Sequence, residues 1–215
     1  MRFLIPPLAT HGARWMGRYF PDLLWRKDPA ERVAYLTFDD GPTAKLTTPI
    51  LDALDRYEAS ATFFLVGAQA RKHPDLAHRI AEAGHTIGNH TFTHPHPWRT
   101  PGIDLQVELD RTSEALRDIV RRPVRYMRPP YGEVTPTLRT WCAERNCPCV
   151  MWDVMPGDYL QSATADGVAR FVLKHVRPGS IIVLHDNPIC EDVTRPALET
   201  ILRRLSREGW QFEAL

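Results

Sequence analysis

With 215 residues, 43% hydrophobic and 25% charged, the chain is long enough for one domain with a substantial core and cramped for two. A formal net charge of +1, with Lys and Arg scattered rather than massed, gives no reason to expect a nucleic-acid partner. The four cysteines, Cys142, Cys147, Cys149 and Cys190, are too uneven for a small disulfide framework, and no uncharged apolar run approaches the ~20 residues that cross a bilayer.

Residues 1–30 read as a lead-in to a single domain over 31–215. The opening apolar stretch before Pro6-Pro7 is shorter than the roughly 7–15 residues of a signal-peptide core, so cytoplasmic residence is the default expectation. Export by another route would leave the same trace. From Val33 onward, short apolar runs alternate with longer amphipathic ones. The runs predict strands at Val33–Phe38, Ala61–Val66, His85–Gly88, Val124–Arg128, Cys149–Trp152, Ser180–Leu184 and Gln211–Ala214. Helices are expected at about Thr48–Tyr57, Pro74–Ala83, Asp104–Arg121, Thr135–Arg145, Ala163–His175 and Arg195–Arg207. Gly84 and Gly209 sit where helices should stop.

This alternation predicts an α/β fold with about seven parallel strands, closing into a distorted (β/α) barrel; an open doubly wound sheet is the alternative. Right-handed crossovers put the strand C-termini on one rim. There the sequence reads "FDD", "NHTFTH", "RPPYG", "WDVMPGD" and "LHD". Adjacent carboxylates at a strand end are costly to ionise unless something neutralises them, so Asp39-Asp40 implies either a capped turn or a cation. His90 and His94, at i and i+4, place two imidazoles on one side of a helical turn. With Asp40 they make a three-ligand, open-position set suited to Zn²⁺, with other divalent transition metals such as Co²⁺ or Ni²⁺ also fitting. Cys147-Pro-Cys149 lacks a second pair at zinc-site spacing and reads as packing.

"TFDDGP", "HTFTH", "RPPYG", "WDVMPGDY" and "IIVLHD", in this order, resemble the five motifs of the polysaccharide deacetylase family, carbohydrate esterase family 4 with its NodB homology domain. The likeness spans about residues 33–214 and makes 31–215 the expected catalytic domain. It implies a metal-dependent hydrolase removing N-acetyl, or less often O-acetyl, groups from glycans such as peptidoglycan or chitooligosaccharide. It also implies roles: Asp39 as base; Asp40, His90 and His94 as metal ligands; His185 as acid; Arg128 orienting Asp39; Asp158 orienting Arg128; and the Tyr131 amide holding the oxyanion.

These roles are chemically coherent. A metal lowers the pKa of water toward about 7 and polarises an acetyl carbonyl, a base completes deprotonation, and an imidazole protonates the departing amine. Tyr159 and Val183 depart from the family's usual Trp and Leu, which leaves activity expected and pocket shape altered. Trp152 is expected in the interior, and Trp98 either there or stacked on a sugar. Two other readings compete. A non-catalytic glycan- or metal-binding relative would have lost the base, a ligand or the acid, and all are present. Phosphoryl transfer through an aspartyl nucleophile gives no account of the paired histidines.

Overall fold

The computed structural model describes residues 6–28 and 31–215. Strands β1 (Val33–Asp39), β2 (Ala61–Leu65), β3 (Thr86–Asn89) and β4 (Ile181–His185) pair in parallel in the order β3-β2-β1-β4, and β5 (Gln211–Phe212) pairs with the start of β1. Around them lie α1 (Pro6–Tyr19), α2 (Thr47–Arg56), α3 (Gly67–Lys72), α4 (Pro74–Glu82), α5 (Gly102–Val120), α6 (Pro136–Glu144), α7 (Ala165–His175) and α8 (Glu191–Arg207).

Every residue of β1 is buried, which requires cover on both faces. Ala34, Leu36 and Phe38 pack into a core shared with Ile50 and Leu54 of α2 and Leu198 and Ile201 of α8. Val33 and Tyr35 pack into a second core, with Ile181 and Val183 of β4, Phe64, Met127 and Val150. At roughly 1.5–3 kcal/mol per large apolar side chain removed from water, the two cores fix the register of β1. Thr37 and then Asp39 continue the row of the second core toward the C-terminal end of the strand.

Two expected strands, Val124–Arg128 and Cys149–Trp152, do not form ladders. Met127 makes single bridges to Asn89 and to Cys149, and Val154 makes one to Ile182 of β4. Single bridges therefore carry the pairing from β3 through Met127 and residues 149–154 to β4, giving a distorted barrel with five strands among the described residues rather than about seven. The cause is local. Pro129, Pro130 and Pro148 have no N–H to donate, and the carbonyls of Val150 and Met151 are taken by the Arg128 guanidinium.

The lead-in holds a helix that the sequence pattern did not announce. Pro6 and Pro7 occupy the first turn of α1, where a missing N–H costs nothing. Thr10 is buried and its hydroxyl accepts from Met155 N at 3.2 Å, while Leu24 bridges Val150. α3, six residues between β2 and α4, was likewise unexpected.

Candidate metal and catalytic site

The two adjacent carboxylates diverge because the strand ends between them. Asp39 keeps the inward side of β1, below which Thr37 lies on the same row. Asp40 has φ 77°, a left-handed conformation that Asp tolerates better than most residues, and it turns the second carboxylate away from the first. The next residue can only be glycine. A Cβ on Gly41 would lie 2.3 Å from Asp186 Oδ2.

Asp40 Oδ1 lies 3.2 Å from His94 Nε2 and 3.5 Å from His90 Nε2, and the three donor atoms are the one such cluster among the described residues. These separations match the edge of a tetrahedron of about 2.0–2.1 Å metal–ligand bonds, roughly 3.3 Å. His90 Nδ1 donates to the Arg128 carbonyl at 2.7 Å, which leaves Nε2 free to ligate. Burial tends to raise the Asp40 pKa, but hydrogen bonds from His90 and His94 overcome it and hold the carboxyl well below the usual range. The donor set therefore fits a divalent cation.

The expected helical turn under the histidines is absent. Residues 90–96 form a loop in which Thr91 and His94 have φ of 64° and 60°. A β-branched residue in that region is strained unless its neighbours hold it. Asn89 Oδ1 accepts from Thr91 N at 2.8 Å while its Nδ2 donates to Leu109 O and Ser113 Oγ on α5. Glu108, also on α5, accepts from Phe92 N and Thr93 N at 2.8 and 2.7 Å. These side-chain acceptors hold the loop in a non-helical path.

Arg128 is fully buried. Its Nη1 donates to Asp39 Oδ1 at 2.8 Å and to Thr37 Oγ1 at 2.7 Å, Nη2 to Met151 O at 2.8 Å and Nε to Val150 O at 3.2 Å. The guanidinium also lies 4.3 Å above the Phe64 ring. This goes most of the way to meeting the condition for a buried ion pair: a partner for the charge and acceptors for four of the five N–H donors.

Asp158 does not orient Arg128, contrary to expectation. Its carboxylate accepts from His185 Nδ1 at 2.7 Å, from His185 N at 2.8 Å and from the Thr194 hydroxyl at 2.6 Å. Arg128 instead gives four of its five N–H groups to Asp39, Thr37 and two carbonyls. His185 ends β4 in register with Asp39 on β1, so an imidazole and a carboxylate, each with its own buried partner, stand on neighbouring strands. Burial tends to lower the His185 pKa, but Asp158, with help from Asp40 and Asp39, raises it to about 9.

The walls are aromatic. Tyr159 meets the His185 ring edge-on at 4.8 Å, whereas Val183 is buried in the second core. Tyr131 has φ 57° and packs between His94, at 4.7 Å, and His96, stacked at 3.8 Å. His96 is held by Glu133 at 3.3 Å. Trp152 is buried, as expected, and blocks any side chain at Gly132, while Trp98 is 64% exposed. Thr37, Asn89, Glu108, Asp186 and Asn187 all shape the site without having been singled out in the sequence. Thr37, inside "TFDDGP", and Asn89 and the pair after His185, in or beside the histidine motifs, carried a signal by position; Glu108 carried none.

Comparison with known proteins gives a consistent picture. Residues 26–148 match the polysaccharide deacetylase family. The chain is 36% identical over 181 residues to a peptidoglycan-N-acetylglucosamine deacetylase of Bacillus cereus, covering 84% of this chain and 66%, just under two thirds, of that protein. It is 33% identical over 196 residues to a chitooligosaccharide deacetylase of Bradyrhizobium sp., covering 86% and 89%. A crystal structure of a peptidoglycan N-acetylglucosamine deacetylase in complex with 4-naphthalen-1-yl-N-oxidanyl-benzamide aligns with a TM-score of 0.87 at 33% identity, covering 94% of this chain and 93% of that one.

Proposed function

The chain belongs to the polysaccharide deacetylase family, and we propose that it is a metal-dependent hydrolase removing N-acetyl groups from N-acetylglucosamine-containing glycans such as peptidoglycan or chitooligosaccharide. The observation that carries this reading is the pairing of Asp39 on Arg128 with His185 on Asp158, in register on neighbouring strands beside the three metal ligands.

Asp40, His90 and His94 hold the cation, and their nitrogen–oxygen donor set suits Zn²⁺ first and Co²⁺ or Ni²⁺ as substitutes. When bound, the ion supplies Lewis-acid polarisation of the acetyl carbonyl and a lowered pKa for water. Asp39, held in place by its 2.8 Å contact with Arg128, accepts the proton of the attacking water. His185 presents Nε2 to the leaving amine, because Asp158 keeps the other proton on Nδ1. The Tyr131 backbone amide is assigned to the developing oxyanion, with the residue's left-handed conformation locked by the His94 and His96 rings.

The test is acetate release by Zn²⁺-loaded protein from chitooligosaccharides, peptidoglycan and acetylated xylan, with Asp39→Asn as control. Release from the N-acetylated substrates, abolished in the control, supports the reading. Full metal occupancy with no release from any N-acetylated substrate refutes it.

A further inference from the structure

β4 ends at His185, and the next two residues turn back over the end of β1. Asp186 N donates to Asp39 O at 2.8 Å, and the buried Asp186 carboxylate accepts from the hydroxyls of Thr43, at 2.6 Å, and Thr47. Those threonines belong to the segment that follows Asp40. Asn187 then reaches the metal ligand itself: its Nδ2 donates to Asp40 Oδ2 at 3.1 Å. Its Oδ1 accepts from Ile189 N at 3.2 Å. The backbone N–H on that side defines which end of the amide is oxygen, so nitrogen necessarily faces the carboxylate.

The two oxygens of Asp40 thus have different neighbours. Oδ1 faces His90 Nε2 and His94 Nε2, and Oδ2 faces a neutral donor that is anchored by its own second hydrogen bond. A carboxylate free at its outer oxygen can rotate or chelate an ion through both oxygens, which changes ligand number and bond angles. One whose outer oxygen is engaged keeps its plane and offers a single atom.

We propose that Asn187 is a positioning residue for the metal centre, holding Asp40 to coordination through Oδ1 alone and thereby setting metal affinity and ligand geometry. The proposal rests on the reading of Asp40, His90 and His94 as metal ligands. Loss of an outer-shell partner of this kind typically costs about 10–100-fold in metal affinity. The Asn187 side chain is hydrogen-bonded to Asp40 and Ile189 rather than to Asp39 or His185, so its effect passes through Asp40.

The experiment compares metal-stripped wild type, Asn187→Ala and Asn187→Ser. Ser retains an oxygen that can accept from Ile189 N but is too short to reach Asp40. Zn²⁺ affinity is measured by competition with a chromophoric chelator, Co²⁺ geometry by its visible absorption, and folding by melting of the metal-free proteins. The expected result is a Zn²⁺ Kd weakened about 10–100-fold in both variants, an altered Co²⁺ band, and metal-free melting of Asn187→Ser that follows wild type. A Kd within twofold of wild type in folded Asn187→Ser overturns the proposal, as does weakening confined to Asn187→Ala, which would make the residue a turn cap. Wild-type protein that binds neither ion removes the metal reading, and the proposal falls with it.

Discussion

Replacing Asp158 with Asn keeps the shape of the residue and removes the charge that faces His185. The magnitude can be worked from the site. In the metal-free protein His185 titrates at about 9, against about 6.5 for an ordinary histidine, even though burial pulls the other way. At pH 7.5 a group of pKa 9 is about 97% protonated, and one of 6.5 only about 9%. Asp158 is the largest of the raising influences, so its removal should bring the pKa down by about 2 units or more. The alkaline limb of kcat/KM, which requires a protonated acid, should move down with it, and activity at pH 7.5 should fall at least about fourfold from protonation alone, reaching about tenfold if the pKa returns to 6.5. A bound divalent cation offsets part of the contribution of Asp40 and Asp39, which places the wild-type limb at or below about 9. The same linkage affects stability. The folded pKa lies above the unfolded one, so the contribution of His185 is complete below about pH 6.5 and is lost as pH rises through about 9. That is on the order of 3 kcal/mol in the metal-free protein, and Asp158→Asn should flatten the slope. The assays are a pH–rate profile of acetate release and urea unfolding across the same range. A limb displaced by less than half a unit, with an unchanged stability slope, would falsify the assignment of Asp158 to His185.

Asp39→Asn should retain the cation, read by elemental analysis, and lose about 10²–10⁴ in kcat, because an amide cannot take a proton from water; near-wild-type turnover would strip Asp39 of its role. Arg128→Met leaves a buried carboxylate and two carbonyls without their donor, and should cost about 3–5 kcal/mol in urea unfolding. Adding Asp39→Asn to it should restore part of that loss, and strictly additive losses would show the ion pair contributes nothing. Gly41→Ala drives a methyl into Asp186 and should cost about 1–3 kcal/mol while lowering Zn²⁺ occupancy. Unchanged stability and occupancy there would mean that the Asp40 segment has slack.

The sequence exposed the chemistry more clearly than the path of the backbone. Asp40, His90 and His94 are recognisable because a cation needs donors of those types, whatever conformation brings them together. Their spacing suits a helical turn and a loop equally well. The choice was made by Asn89 and by Glu108, which lies on α5 and supplies acceptors to the loop amides. Asp158 shows a similar gap. A carboxylate in "WDVMPGD" must serve some cation, but which one depends on vacancies. Arg128 already gives four of its five N–H groups to Thr37, Asp39 and two main-chain carbonyls, whereas His185 offers Asp158 both its Nδ1 and its backbone N–H. The strand signals at Val124–Arg128 and Cys149–Trp152 marked real extended chain. What periodicity could not register is that prolines and a side-chain donor would break the ladders between them.

Arg128 is joined to both halves of the chemistry at once, through its guanidinium to Asp39 and through its carbonyl to His90. The side chain of this one residue therefore positions Asp39 while its main chain positions the His90 ring. A substitution at position 128 should therefore release Asp39 but keep the main-chain bond to His90, altering the spacing between the two groups.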